Sequence, residues 1–220
     1  MKQINMLLAA LILISLPALS FNQSYDKSGS KFTLIFKDNI KSDLSIYIAG
    51  IEGNMVGVEM FFHEKSFSNT RMSQQFWIDK SSSKLEIKEG YFLVPEFKSP
   101  QKLTKEYFNV NSGVKIEDFL FADESSVKEN SKGKVTLTVA GMDIPCEKFE
   151  KSRGKQKITY YISPMAKPIG LVKLISEGEE EQHNYVIEFN HLIKNISPKI
   201  DRKIATEMTE EGKSFLPKPK

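Results

Sequence analysis

The chain is 220 residues long, enough for one domain with a core of its own and too long for a stapled mini-fold. Lys and Arg number 31 against 28 Asp and Glu, a formal net charge of +3. The two signs are interspersed, which argues against the segregated basic stripe of a nucleic-acid binder.

Lys2, the apolar run over residues 6–16, Pro17 and then Ala18-Leu19-Ser20 have the three-part layout of a secretory signal peptide. It spans residues 1–20, and cleavage is expected before Phe21. The run is short for a membrane span, and no cysteine follows it to carry a lipoprotein anchor. An uncleaved anchor or a buried apolar helix is the alternative. The expected product is exported, to a periplasm or beyond the cell, with no stable membrane span in the mature chain. In such an oxidising compartment cysteines are usually paired or absent. Cys146 is the one cysteine, so an intramolecular disulfide is excluded. Within Ile144-Pro145-Cys146 it reads as a small buried hydrophobe, with a reactive thiol or an intermolecular bond as alternatives.

Residues 21–30 are polar and read as a flexible leader. A single antiparallel β-rich domain is expected over residues 31–196, followed by a short helix and a disordered tail over 197–220. Strand rhythm starts with Phe32, Leu34 and Phe36, turns at Lys37-Asp38-Asn39, and resumes with Leu44, Ile46 and Ile48. After a loop at Gly50-Ile51-Glu52-Gly53-Asn54, Val56, Val58, Met60 and Phe62 share one face, and Gly57, Glu59 and Phe61 take the other. A polar connection over 64–71 leads to Phe76, Trp77 and Ile78, and a wide turn follows over 79–83. Alternation in Lys84-Leu85-Glu86-Ile87-Lys88 predicts a half-exposed or edge strand. Glu89-Gly90 is then expected to turn the chain into Tyr91-Phe92-Leu93-Val94, which Pro95 ends.

Residues 95–134 are the least regular. Leu103, Tyr107 and Phe108, and again Ile116, Phe119 and Leu120, have helical spacing, and a polar run covers 123–133. The clearest period of two lies over 134–176. Val135, Leu137 and Val139 alternate with polar residues up to a turn at Ala140-Gly141-Met142-Asp143. A second turn falls at Ser152-Arg153-Gly154-Lys155, and Ile158, Tyr160 and Ile162 follow it. Pro164 and Pro168 break the run before Ile169 to Ile175. Tyr185, Ile187 and Phe189 make the last strand, and a short helix is expected over 201–211, ended by Gly212. Such a set of short strands predicts a mainly β, α+β fold, a curved antiparallel sheet or half-barrel with a few short helices.

Catalytic and cofactor signatures are absent from this pattern. His183 and His191 flank one strand and would stand roughly 26 Å apart at about 3.3 Å per residue, too far to share an ion. No Gly-x-Ser-x-Gly elbow, no helix after Gly50-Ile51-Glu52-Gly53 to cradle phosphate, and no histidine motif near Cys146 is present. No cofactor or metal is implied. By parity the inward residues are Val58, Met60, Phe62, Phe76, Ile78, Ile158, Tyr160 and Leu174. They are candidates to line an apolar ligand site or simply to fill a core.

Residues 133–136, 146–149, 158–164 and above all Lys167-Pro168-Ile169-Gly170-Leu171-Val172-Lys173-Leu174 resemble exported bacterial proteins related to the outer-membrane lipoprotein carrier (LolA-like) superfamily. The resemblance covers residues 76–189 in rhythm and is specific over 161–174. It implies a half-barrel wrapped over one or more helices, and a role in binding or carrying a hydrophobic or lipidic ligand or a lipoprotein. It transfers no individual binding residue. Pro164, Pro168 and Gly170 read as structural, ending one strand and starting the next. A non-enzymatic envelope protein is thus expected. The alternatives are an envelope protein–protein assembly factor without a small ligand, and an envelope hydrolase using His63, His183 or His191.

Overall fold

The computed structural model describes residues 25–64, 71–81, 86–109, 131–179 and 181–216. Twelve strands lie within them. The first six are β1 (Gly29–Phe36), β2 (Lys41–Glu52), β3 (Met55–Glu64), β4 (Arg71–Asp79), β5 (Glu86–Leu93) and β6 (Gln101–Lys102). After them come β7 (Ser131–Val139), β8 (Met142–Arg153), β9 (Gln156–Ile162), β10 (Leu171–Glu177), β11 (Tyr185–Ile193) and β12 (Thr206–Glu207). A short helix, α1 (Glu210–Ser214), and 3-10 turns at Lys105–Asn109, Pro164–Ala166, Glu181–His183 and Arg202–Ile204 complete the regular structure.

All the strands join one sheet in the order β12-β6-β5-β4-β3-β2-β1-β11-β10-β9-β8-β7. Pairing is antiparallel except between β12 and β6. Two meanders, β1–β6 and β7–β11, are therefore joined edge to edge through β1 and β11. The two ends of the order do not pair with each other, so the sheet is an open ribbon. It is also curved. β7 and β11 stand four places apart, yet they bring Cα atoms within 8 Å of each other. Four strand spacings laid flat would measure about 19 Å. The expected curved antiparallel sheet is what the chain forms.

Local chemistry explains most of the strand ends. Ala140 and Gly141 have φ of 52° and 76°, the two-residue turn whose twist matches its flanking strands. One expectation is corrected. Glu89-Gly90 is no turn, because β5 runs straight through it. A Cβ on Gly90 would lie 2.7 Å from the Phe108 ring, so the glycine serves close packing within a strand. The loop at residues 50–54 is also tighter than expected, since β2 extends to Glu52 and β3 starts at Met55. Of the expected helical segments, residues 105–109 form a 3-10 turn, while 116–120 lie outside the described residues.

Alternation places Phe32, Leu34, Leu44, Ile46, Val58, Phe92, Phe149, Leu174 and Phe189 in one apolar cluster on the inward face. Each fully buried side chain of this kind is worth about 1.5–3 kcal/mol. Trp77, Tyr91 and Ile200 form a second cluster on the outward face.

That second cluster exists because the chain doubles back. After β11, residues 194–207 cross the outward face from the start of β1, where Ile196 N donates to Lys27 O at 3.0 Å, to the β6 edge, and residues 208–216 fold round that edge to the inward side. This strap is not the single helix expected over 201–211. Asp201 caps the turn Arg202–Ile204, Thr206 and Glu207 add to β6, and Thr209 caps α1. Extended backbone wins here because Thr206 N can reach Pro100 O at 2.9 Å across the sheet edge. Gly212 sits inside α1 against Gln101 and Phe92. Phe215 packs edge-on to Phe97 at 5.4 Å, and Leu216 is buried in the inward cluster.

Candidate functional site

The inward face gathers all eight residues singled out by parity. Val58, Met60 and Phe62 come from β3, Phe76 and Ile78 from β4, Ile158 and Tyr160 from β9, and Leu174 from β10. Every one is buried in the same cluster, from Val58 and Leu174 at 0% exposed to Met60 at 8%. Val58 faces Phe76 and Tyr160 faces Leu174 across their ladders. The Tyr160 ring stacks on Phe149 at 5.3 Å. The β3–β4 group and the β9–β10 group occupy opposite limbs of the curve. Phe32, Leu34, Ile187 and Phe189 on β1 and β11 continue the apolar surface between them.

The two ends of this face differ in chemistry. At one end Gln156 Nε2 donates to Ser176 Oγ at 2.7 Å, and Ser176 Oγ donates to His183 O at 2.6 Å. Ser42 and Glu64, which pair across β2 and β3, are buried at this same end. At the other end three apolar side chains are exposed beside the buried Ser30 and Ser163. Met142 continues the Ile144–Cys146 parity of β8 and is 45% exposed, and Leu192, opposite Ser30, is 42% exposed. Met165, in the turn between β9 and β10, is 57% exposed. That turn is tied to the sheet by Ser30 Oγ, which donates to Ala166 O at 3.5 Å. Gly170, with φ of 81°, closes the turn by donating to Ala166 O at 2.8 Å.

The outward face holds a second constellation that parity alone did not single out. Glu59, at 0% exposed, receives the Tyr47 hydroxyl, Gln75 Nε2 at 2.8 Å, Lys199 N at 2.8 Å and Ile200 N at 3.3 Å. Gln75 Nε2 also donates to Ile200 O at 3.1 Å, and its Oε1 accepts from Trp77 Nε1 at 2.8 Å. Removal from water pushes the Glu59 carboxyl above its ordinary value, and the four donors oppose this without cancelling it. Burial and the nearby carboxylate likewise push the Tyr47 hydroxyl far up.

Trp77 lies flat between two layers. Beneath it, a Cβ on Gly57 would stand 2.9 Å from the indole, so only glycine admits the ring. Above it, the Arg202 guanidinium stacks 3.9 Å from the ring centroid. Arg202 also pairs with Glu52, and with Glu89 at 3.0 Å. Burial raises the Glu89 carboxyl, but Tyr91 and Arg202 outweigh it and hold the group below its ordinary value. Burial and Glu89 together push the Tyr91 hydroxyl up to about 12.

The remaining titratable candidates stay apart. His63 is the penultimate residue of β3, beside Arg71, His183 closes the turn Glu181–His183, and His191 lies on β11 opposite Lys31. β1 and β2 separate the strands of His63 and His191. Among the described residues no group of three His, Cys, Asp or Glu side chains is placed to hold a metal ion. Cys146 is buried as expected, its thiol pushed up to about 11 by that burial, with Sγ 3.3 Å from Ile144 O.

A signal for the outward constellation was present in β4. Ser73-Gln74-Gln75-Phe76-Trp77-Ile78 carries no charge at either parity, the pattern of a strand covered on both faces.

No family model matches the chain, and no curated protein matches it. Among solved structures it is similar to a candidate lipoprotein from Parabacteroides distasonis ATCC 8503, at 9% identity and TM-score 0.41, over 81% of this chain and 100% of that one. It is similar to PNGF-II at 11% identity and TM-score 0.41, over 86% of this chain and 32% of that one. It is also similar to a chain of the Pseudomonas aeruginosa MucA/MucB complex, at 10% identity and TM-score 0.38, over 78% and 52%. At this level of identity and overlap these likenesses assign the chain no family, activity or partner.

Proposed function

We propose that this is an exported, non-enzymatic protein of a bacterial envelope that binds or carries a hydrophobic or lipidic ligand, or a lipoprotein, on the inward face of its sheet. The unequal ends of that face carry the reading. Gln156 and Ser176 close one end with a buried hydrogen bond. The other end instead presents Met142, Met165 and Leu192 to solvent. Methionine adapts its shape at low cost and suits a rim that an apolar chain passes. The signal-peptide layout of residues 1–20 supports export, and among the described residues no helix is long and apolar enough to cross a membrane. The LolA-like resemblance over residues 161–174 supports the same reading, since that stretch forms the turn carrying Met165 and the strand carrying Leu174.

The test is mass spectrometry of organic extracts from protein purified out of its native envelope, wild type beside a Met165→Lys, Leu192→Lys double variant. Both positions are exposed, so the fold is expected to survive the change. Lipid in the wild type and a fivefold or greater loss in the variant, at an unchanged melting temperature, is the expected result. A wild type free of lipid overturns the reading.

A protein partner without a small ligand is the second reading, and one observation favours it: among the described residues no strand pairs with the outer edge of β7. Lys132, Lys134, Thr136 and Thr138 on it are exposed, so an added strand has access. Cross-linking in cells that yields a discrete protein adduct, with no lipid in the extract, selects this reading.

A further inference from the structure

The strap is held by an unusual means. The strap's far end is anchored by Phe215 on Phe97 and by Leu216 in the inward cluster; the span from 194 to 211 buries only Ile200. The hold on that span comes from groups that read a peptide. Glu59 takes two successive backbone N–H groups, and Gln75 gives a hydrogen bond to the carbonyl between them and Asp201. Trp77 and Tyr91, with Met55 and Leu93, accept one aliphatic side chain. The Trp77 face with Glu52 and Glu89 accepts one guanidinium. A permanently covered core face is ordinarily apolar, because a buried carboxylate carries a desolvation cost that a hydrocarbon side chain avoids. Tyr47, Glu59 and Gln75 instead make a polar surface whose outward groups are satisfied by the backbone of the strap.

We propose that the outward face of β2–β5 is a peptide-recognition groove, occupied in cis by the strap, that takes from a partner protein an extended segment with an aliphatic residue two positions before an arginine. Backbone reading by Glu59 and Gln75 sets the extended conformation. Ile200 and Arg202 mark the two side-chain positions read. The strap acts as a tethered competitor, whose effective concentration at the groove is on the order of millimolar for a short connection. Hinge room exists at residues 194–199, where Asn195 has φ of 55° and no side chain is fully buried. This groove lies on the opposite side of the sheet from the ligand face, and its test is independent of lipid.

The probe is a fluorescein-labelled synthetic peptide of residues 196–207, titrated by anisotropy into the full chain. It is compared between the wild type and an Ile200→Ala, Arg202→Ala double variant with a weakened strap. The expected result is binding at least tenfold tighter to the variant. A peptide with Arg202→Lys is expected to bind at least fivefold more weakly than the parent, since an ammonium cannot stack as a planar guanidinium does. No binding to a folded double variant overturns the proposal. Should that variant not fold, hydrogen exchange on the wild type decides. Amides of Lys199 and Ile200 exchanging at least a hundredfold faster than those of Ile46 and Val58 show a strap that lifts by itself. Exchange of all four at one common rate shows a fixed part of the core and overturns the proposal.

Discussion

Two cross-strand rows on the outward face make opposite use of charge. One runs Lys148, Tyr161, Lys173, Glu188, Thr33, Asp43, His63, Arg71 from β8 to β4. The other runs Tyr47, Glu59, Gln75, Tyr91 from β2 to β5. In the first, Lys173 and Glu188 meet at 3.4 Å, with side chains 28% and 31% exposed. Water shares the work there, and such a pair is worth about 0–1 kcal/mol. In the second, Glu59 meets no water and is served by four neutral donors, two of them from a segment some 140 residues away in sequence. One acid keeps a surface hydrated; the other fixes where a distant piece of chain lies.

The sharpest way to break this contrast is to remove each acid in turn. Glu59→Leu strands four donors in a dry site and is expected to cost about 3–5 kcal/mol in urea unfolding. Equal losses from Glu59→Leu and Glu188→Leu would erase the distinction. Gly57→Ala comes next, because its methyl meets the indole at 2.9 Å. A loss of about 1–3 kcal/mol is expected, the usual scale of overpacking. Arg202→Ala uncovers Trp77, the one tryptophan in the chain, so a red shift of intrinsic fluorescence reports the change directly. Its stability loss is expected at about 0.5–2 kcal/mol.

A smaller effect follows from acidity. Glu59 is raised above the ordinary 4.5 in the folded chain, so its contribution is whole below that value and is lost as pH rises through the raised one. Urea midpoints for wild type minus Glu59→Gln, taken from about pH 4 to about pH 8, are expected to fall with pH. A rise would place the carboxyl below its ordinary value instead. Smallest of all, Lys173→Ala is expected to change stability by less than about 0.5 kcal/mol.

Much of the sheet is legible in the sequence because its signals are local. A period of two and positive-φ turns at Asn39 and Ala140-Gly141 need no knowledge of the rest of the chain. Parity likewise placed all eight inward candidates in one cluster. The strap was not legible for the same reason. Alternation assigns Glu59 to the outward side, where an acid ordinarily means solvent, and nothing near Glu59 announces Ile200 as its cover. Gly90 misled in a related way. A glycine in a strand signals either a turn or a close neighbour, and its neighbour Phe108 is brought in by a separate element. The open rim at Met142, Met165 and Leu192 depends on which turns meet at one end of the curve, a property of the whole ribbon.

The seam between β1 and β11 has a consequence for how the molecule is made. Thr33 and Asn190, linked side chain to side chain across it, are 157 positions apart. While the polypeptide is threaded amino end first, β1 waits with one flank of amides and carbonyls open until nearly the whole chain has emerged. That interval is when stray strands can attach to it. Pairing with β11 is what closes that flank.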